Sequence, residues 1–471
     1  MRLFWGLGFA LVVALGFWVG FRGRGQVEGH ESSGFLDESS VSERSDPALG
    51  AAAAGAPGAA WAAGAAGAAG EQGPTGPTGS AGKGAVGKGQ APAPNPAAAP
   101  ASAKAAPAAP LATLPAARAL QGSEEEIEIA AILLHRPWSE VSVRLGQSRL
   151  PEDRRNLFAA VSASLAGDRE RAQGFAKGLD KSDELSARER ALLASALQAA
   201  PVAPVAAAAG TDSVAAMAIT LALRARDGAR MLAAGRHAEA ASAFSEVLLG
   251  DALANWPSDR TALQRWSDGL NQAQAGHRWN VKGNWPSVTI TVKSGDSLTS
   301  LRQRALKEHS GLLLCTGLIQ RVNQLRNEKD LHPGDVLRLP TDRAHMVVDI
   351  STRWVLYMMG NEVVSAWEGG VGKPGNDTVP GNYVIGGKLK NPTWFRPGAK
   401  PVPFGDPENP LGTRWLAWLS NGVDSSLGFH GTTDPSSVGG AVSSGCIRMR
   451  NEDVEVLYEI LPEKAEVLVQ P

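Results

Sequence analysis

The segment from residue 25 to residue 121 has almost nothing with which to build a core. It consists mostly of Ala, Gly, Pro and Ser, with hardly any branched or aromatic side chains. Such a segment cannot bury enough apolar surface to offset the entropy lost on ordering, so we predict a disordered linker. Glycine recurs at every third residue from Gly64 to Gly82, which suits a collagen triple helix, but the tract is short and a biased linker is the better interpretation.

An apolar run precedes the linker. Leu3 to Phe21 contains only apolar residues and glycine, and arginines flank it on both sides. A helix of this length rises roughly 30 Å, enough to cross a hydrocarbon core. No small-x-small cleavage site follows directly, so we predict that residues 1–24 are a transmembrane anchor, with a cleaved signal as the alternative. Arg22 and Arg24 favour a cytoplasmic side for the segment that follows. The chemistry predicted below requires the opposite, and the orientation stays open.

The charge and the cysteine content of the chain exclude several classes of function and of structural site. Lys and Arg number 46 against 47 Asp and Glu, for a net charge of -1, which argues against nucleic acid as a partner. The chain has two cysteines, Cys315 and Cys446. That number excludes a dense disulfide framework and multi-thiolate zinc sites. Each cysteine therefore needs its own explanation, and we predict that the two do not pair.

Residues 122–282 show helical patterning. Ser123 and Glu126 have capping-box spacing ahead of an apolar run, which predicts a helix start. Further helices are predicted over 153–165, 186–199, 212–234, 238–249 and 259–275.

One part of this region resembles a single tetratricopeptide repeat, with 259–275 as its capping helix. The positions that carry the resemblance are Gly228, Met231, Gly235, Ala240, Phe244, Val247 and Asp251. Small residues there let two helices approach, and Phe244 fills the gap. Such repeats usually need roughly three units, so an ordinary helical hairpin in a small bundle is an equal alternative. A protein partner of this domain is an open expectation.

Residues 287–341 have the order strand, helix, helix, strand. Val288, Ile290 and Val292 alternate with polar residues, as in a half-buried strand. A turn at Ser294 to Ser297 leads into one helix, a second covers roughly 315–325, and the turn Pro333-Gly334-Asp335 leads into a closing strand.

This order, with the sequences VKSGDSL and LHPGDVLRLP, resembles the lysin motif, LysM. The resemblance implies a βααβ fold that binds N-acetylglucosamine-containing glycans such as peptidoglycan. A small domain used only for packing is the alternative. Cys315 is predicted to be a buried small hydrophobe. The implied glycan-binding residues are Gly295, Asp296, Ser297, Leu298 and Asn323 to Leu325.

The last domain, residues 343–471, begins as β-sheet. Apolar runs at His345 to Ile350, Trp354 to Met358 and Val363 to Gly370 predict three strands. Residues 390–424, rich in Pro, Gly and Trp, are predicted to form a long ordered loop or lid. Four aromatic residues there could line a substrate groove or form the core that holds the lid, and both interpretations stay open. These are Trp394, Phe395, Trp415 and Trp418.

A histidine and a cysteine, His430 and Cys446, stand 16 residues apart, each next to a glycine. A thiolate is a nucleophile, and a nearby imidazole can take its proton. Gly445 permits a tight turn that aims backbone N–H groups at an oxyanion. Arg448 could hold a substrate carboxylate. A lone cysteine is more often a core residue, so the residues alone leave the two interpretations evenly balanced.

The segment HGTTDPSSVGGAVSSGCIRMRNEDVEVLYEIL, with VPGNYVIGGKLKNPTWFRPG and DPENPLGTRW, resembles the L,D-transpeptidase catalytic domain. The resemblance implies a mainly β domain with Cys446 as nucleophile and His430 as general base. It implies that the Gly431 carbonyl orients the imidazole, that Gly445 and Cys446 form the oxyanion region, and that Arg448 is the arginine of the motif. The family often has His where this chain has Ser444, which predicts activity with altered tuning. Asn451 to Asp453 is predicted to be a helix N-terminus.

The resemblance implies two acyl transfers on peptidoglycan stem peptides through a cysteinyl thioester, ending in a 3→3 cross-link. No metal or other cofactor is implied. The expected protein is a multidomain, membrane-anchored enzyme whose catalytic domain lies outside the cytoplasm. Two alternatives remain: a catalytically silent wall-binding scaffold, and an enzyme that attaches lipoprotein to peptidoglycan.

Overall fold

The structure is a computed structural model that describes residues 122–202, 213–254, 256, 259–395 and 398–471. The predicted anchor at 1–24 and linker at 25–121 lie outside these residues and stay predictions. Among the helices of the described residues, none combines the length and the apolar character that a membrane span requires.

The described chain begins with helices. Five of them, α1, α4, α5, α6 and α8, start after a Ser or Asp whose side chain accepts a backbone N–H of the first turn, and these caps set the helix starts. The bounds are α1 Glu124–His135, α2 Trp138–Gly146, α3 Glu152–Leu165, α4 Arg169–Ala176, α5 Ala187–Leu197, α6 Val214–Ala233, α7 His237–Ala254 and α8 Arg260–Gly276.

Helices α6 and α7 pack closely because a glycine faces an aromatic ring. A Cβ at Gly228 would stand 3.3 Å from the Phe244 ring, so even one added methyl group would be tight. The predicted contact of a small residue with Phe244 is therefore present. The tetratricopeptide-repeat interpretation is not confirmed.

The LysM segment folds as predicted, with strand β1 (Ser287–Thr291) antiparallel to β2 (Val336–Pro340). Helices α9 (Leu298–Glu308) and α10 (Thr316–Val322) lie between them. Ser297 and Ser300 form a reciprocal capping box at the start of α9.

The C-terminal domain is built on an eight-stranded mixed sheet with the order β11-β9-β8-β7-β12-β3-β4-β5. Pairs β12–β3 and β11–β9 are parallel and the others antiparallel. The three predicted strands are present as β3 to β5. The bounds are β3 Ala344–Asp349, β4 Trp354–Met359, β5 Glu362–Glu368, β6 Val371–Gly372, β7 Gly381–Lys390, β8 Arg414–Ser420, β9 Val423–His430, β10 Ala441–Ser443, β11 Ile447–Arg448, α11 Asn451–Ile460 and β12 Glu466–Gln470.

The prediction of one long loop over 390–424 is wrong in its second half. Strand β8 and the start of β9 lie inside that range, and the Pro- and Gly-rich stretch between strands is confined to 391–413. Trp418 is fully buried and contacts Phe429 edge-on, with ring centroids 4.9 Å apart. Tryptophan content therefore marked a core strand here rather than a lid.

Strands β3 to β5 are buried on both faces. Leu356 and Met358 of β4 pack into the core of the helical region, whereas Val355 and Tyr357 face the core of the C-terminal domain. Hydrogen bonds fix the helices to β5: the Ser245 hydroxyl accepts the N–H of Val363 at 2.8 Å. Burial on two faces explains why these strands are continuous apolar runs rather than alternating ones.

Candidate active site

Parallel pairing of β9 with β11 brings the histidine and the cysteine together. Ile447 pairs with Phe429 and Arg448 pairs with His430. Cys446 directly precedes β11, and if the alternation of side chains is continued by one residue, its side chain points to the face of Arg448 and His430. Arg448 lowers the pKa of both His430 and Cys446, so it lies near each of them. The sheet thus brings His430 and Cys446, which are 16 residues apart in the sequence, to the same region of its surface.

The His430 ring is buried, and its contacts fix its tautomer. Nδ1 lies 2.6 Å from the carbonyl oxygen of Gly431. A carbonyl oxygen only accepts, so Nδ1 carries the proton and Nε2 of the neutral ring is free to accept another. Burial lowers the pKa of His430 from 6.5 to about 4; the Gly431 hydrogen bond raises it and the nearby Arg448 lowers it further. The imidazole is neutral at pH 7, as a general base must be.

The Cys446 thiol is half-buried and donates weakly to the Ser426 carbonyl at 3.7 Å. Burial raises its pKa from 9.0 to about 11, although the Gly428 N–H and Arg448 both act in the opposite direction. Burial therefore favours the uncharged form of both groups, so the resting forms are thiol and imidazole rather than thiolate and imidazolium. Such a thiol needs a base at the moment of attack.

The turn that carries the thiol, residues 443–446, is held by two residues that sequence reasoning missed. Ser443 donates to the Cys446 carbonyl at 2.7 Å and accepts the N–H of Gly445 at 3.1 Å. Thr378 donates to the Gly445 carbonyl at 3.0 Å. The Gly445 N–H is therefore already engaged, and what Gly445 contributes is its left-handed φ of 110°, which shapes the turn.

Arg448 and Ser444 differ in exposure. Arg448 is half-buried, and its backbone exchanges two hydrogen bonds with Gly370, at 2.7 and 2.8 Å. Burial lowers its pKa, while Asp434 and Cys446 act against that effect. Ser444 is exposed. In the described part of the chain, no group of three or more His, Cys, Asp or Glu side chains could hold a metal ion.

The four aromatic residues of the predicted groove lie in different surroundings. Trp415 stacks near the His430 ring, with centroids 6.1 Å apart and planes 28° apart, so it flanks the site. Trp418 belongs to the core. Phe395 is 72% exposed, and Trp394 exchanges backbone hydrogen bonds with Val402. The ring of Trp415 therefore lies against the histidine ring.

The residues predicted to line the LysM groove also differ in exposure and in their contacts. Gly295 is exposed, and Ser297 caps α9. Asp296 pairs with Arg304 at 2.6 Å. Leu298 and Asn323 are buried, and the Asn323 amide donates to the Arg338 carbonyl and accepts the Arg338 N–H, each at 2.8 Å. Asn323 therefore holds α10 against β2, and of the predicted groove residues Gly295 is exposed whereas Leu298 and Asn323 are not.

Cys315 lies far from this chemistry. It stands at the start of α10, half-buried, and its thiol donates to the Glu459 carbonyl of α11 at 3.0 Å. Both cysteines are free thiols, as predicted.

Comparisons with known proteins identify two domains in this chain. Residues 343–469 match the model of the YkuD L,D-transpeptidase catalytic domain, and residues 290–340 match the LysM domain. The chain is similar to the L,D-transpeptidase YqjB of Bacillus subtilis strain 168, at 34% identity over 28% of this chain and 73% of that protein. It is similar to the L,D-transpeptidase YkuD of the same organism, at 30% identity over 39% of this chain and 98% of that protein.

A third relative is the L,D-transpeptidase YbiS of Escherichia coli K12, at 30% identity over 27% of this chain and 47% of that protein. The two Bacillus proteins are covered over more than two thirds of their length. The chain therefore belongs to the L,D-transpeptidase family, and it is an enzyme of that class that carries a LysM domain.

Proposed function

We propose that this protein forms peptidoglycan cross-links through a thioester on Cys446. The observation that carries the proposal is the ordered set of Cys446, neutral His430 and the Gly431 carbonyl. Its support is that His430, protonated at Nδ1, pairs across the sheet with Arg448, two residues after the thiol.

In the first half of the reaction, Nε2 of His430 takes the Sγ proton as Sγ attacks the carbonyl carbon of the third stem-peptide residue. Backbone N–H groups of the turn at 443–446, other than the Gly445 N–H that Ser443 accepts, stabilise the oxyanion, and Arg448 holds a substrate carboxylate. The tetrahedral intermediate then collapses. The terminal D-alanine leaves as an amine, His430 returns the proton to it, and a thioester remains.

In the second half, an acceptor amine attacks the thioester carbonyl. His430 takes the proton of that amine, the new amide forms, and Cys446 leaves and recovers its proton. An amine from a second stem peptide gives a 3→3 cross-link. The neutral resting pair suits this cycle because His430 accepts a proton in each half.

The LysM domain would supply glycan affinity, through the exposed turn at Gly295. Glycan bound by one domain raises the effective concentration of the attached stem peptides at the other. The substrate lies outside the cytoplasm, so we place the catalytic domain in the cell envelope, tethered by residues 1–24. N-terminal sequencing of the mature protein and protease digestion of intact spheroplasts test that location.

The test of the reaction is muropeptide mass spectrometry after incubating stem tetrapeptides with wild type, Cys446→Ala and Cys315→Ala. Wild type and Cys315→Ala should show a thioester adduct, lose D-alanine and form a 3→3 product. Cys446→Ala should do none of these. A wild-type protein that gives neither adduct nor product would instead be a silent scaffold. A product trimmed by water, or joined to a lipoprotein lysine, would identify another acceptor.

A further inference from the structure

The first residue of α11, Asn451, makes more contacts near the histidine than a helix start requires. Its Oδ1 accepts the N–H groups of Thr413 and Thr432, both at 3.1 Å. Its Nδ2 donates to the Thr432 carbonyl at 2.8 Å. One amide therefore joins helix α11, the segment before β8 and the segment after β9.

The Thr432 N–H that Asn451 holds belongs to the same peptide group as the Gly431 carbonyl. A peptide group is planar, so its N–H and C=O rotate together. The Gly431 carbonyl accepts Nδ1–H of His430 at 2.6 Å. Fixing one end of this peptide group therefore fixes the hydrogen-bond acceptor at its other end.

We propose that Asn451 is a positioning residue that sets the tautomer and orientation of His430 through the Gly431–Thr432 peptide group. The proposal rests on the proposed role of His430 as the base. An acceptor on the N–H also polarises the peptide group, which strengthens its carbonyl as an acceptor. Nε2 of His430 is thereby kept free to take a proton.

Two glycines next to the Asn451 side-chain amide provide the space that its hydrogen bonds require. A Cβ at Gly431 would collide with Oδ1 of Asn451, and so would a Cβ at Gly412. Gly412 has a left-handed φ of 60°, a second reason for glycine there. The chain thus leaves room for the Asn451 amide at two separate points.

Replacing Asn451 by Ala would remove the acceptor of two N–H groups and the donor to the Thr432 carbonyl. The Gly431–Thr432 peptide group could then rotate toward other partners. His430 would lose a fixed acceptor at Nδ1, and the tautomer protonated at Nε2 would gain population. That tautomer cannot act as the base toward Cys446.

The experiment compares wild type, Asn451→Ala and the control Glu452→Ala, which alters an exposed residue of the same helix turn. Imidazole ¹⁵N shifts of histidine-labelled protein report the tautomer, and the His430 signals are assigned by their loss in His430→Gln. Wild type and the control should show His430 protonated at Nδ1, and Asn451→Ala a mixture. The kcat for D-alanine release should fall roughly 10–100-fold in Asn451→Ala alone, since small misplacements of a catalytic group cost about that much, with KM within about twofold.

A folded Asn451→Ala protein that keeps the wild-type ¹⁵N pattern would overturn the proposal, whatever its activity. If Asn451→Ala does not fold, Asn451→Asp replaces it, because aspartate keeps the acceptor for the Thr432 N–H and should preserve the Nδ1–H tautomer. Loss of that tautomer in folded Asn451→Asp would also contradict the proposal. The ¹⁵N readout does not depend on turnover, so an inactive wild type would refute the proposed function while leaving this test intact.

Discussion

Cys315 and Cys446 are both half-buried free thiols, and burial raises the pKa of each. Their neighbours differ. The Cys315 thiol donates to the Glu459 carbonyl, one of the last carbonyls of α11, which have no partner inside their own helix. Cys446 follows a glycine with a left-handed φ and directly precedes the strand whose Arg448 pairs with His430.

The difference shows that burial and thiol acidity do not identify a nucleophile. A lowered pKa is one route to a reactive thiol, and neither cysteine has it. What distinguishes Cys446 is a shaped turn and a neutral histidine that pairs with Arg448, two residues further along the chain. Cys315 instead donates a hydrogen bond from the LysM domain to the catalytic domain. The following predictions test that distinction.

The largest effect should come from His430→Gln. Loss of the base should lower the rate of acyl transfer by roughly 10²–10⁴-fold, the usual contribution of general acid–base catalysis. The rate of D-alanine release, measured by mass spectrometry, checks this. The Cys315 thiol donates to the Glu459 carbonyl rather than to His430, so its alkylation by iodoacetamide should be the same in wild type and His430→Gln. Equal D-alanine release by the two proteins would contradict the role of His430.

The same variant should change how stability depends on pH. The pKa of His430 is 6.5 when unperturbed and about 4 in the fold, so the unfolded chain takes up a proton that the folded chain does not. This group's contribution is complete above pH 6.5 and is lost as pH falls toward 4, for a total of about 3 kcal/mol at 1.36 kcal/mol per pKa unit. Urea unfolding at pH 7 and pH 4 measures how much the free energy of unfolding falls between these two pH values. That fall should be smaller in His430→Gln than in wild type by about this amount.

A smaller effect is expected from Gly445→Ala, with Gly311→Ala as its matched control. Both glycines have left-handed φ, 110° and 93°, so each alanine should cost about 1–3 kcal/mol of stability. A Cβ at Gly445 would also stand 3.1 Å from a Leu427 methyl group, while one at Gly311 meets nothing within 4 Å. Only Gly445→Ala should therefore displace Cys446 and lower kcat, by roughly 10–100-fold. Equal kcat values for the two variants would contradict the prediction that the turn at 443–446 positions Cys446 for catalysis.

Local patterns were sufficient for the sequence to predict strands β3 to β5, which are apolar runs. Glycine-flanked His430 and Cys446 pointed to a candidate site, but only the resemblance to the L,D-transpeptidase domain favoured the catalytic interpretation over the structural one. The apolar run from Trp354 to Met359 is also typical of a strand that is buried on both faces, because no charged residue interrupts it. The apolar runs did not identify the helices that cover the second face, because any apolar layer would suit such a strand.

The supporting polar contacts could not be predicted in the same way. Asn451 looked like a helix start, and Ser443 and Thr378 look like ordinary loop residues. Each acts through a backbone group that only the folded chain brings near: Thr378 bonds the carbonyl of Gly445, 67 positions away. Hydrogen bonds of this kind depend on tertiary approach and leave no periodicity in the sequence.

The smallest effect should come from Cys315 itself. Cys315→Ala removes the donor to the Glu459 carbonyl and should cost about 1 kcal/mol, since a polar group at the contact of α10 with α11 loses its partner. Cys315→Ser keeps a donor there and should cost less than the alanine variant. Urea unfolding measures both, and acyl transfer should stay at the wild-type rate. Loss of acyl transfer in Cys315→Ser with unfolding unchanged would give Cys315 a catalytic role and erase the distinction between the two thiols. The opposite end of α11 carries Asn451, so the wild-type rate would also show that loosening the helix at its C-terminal end does not reach His430.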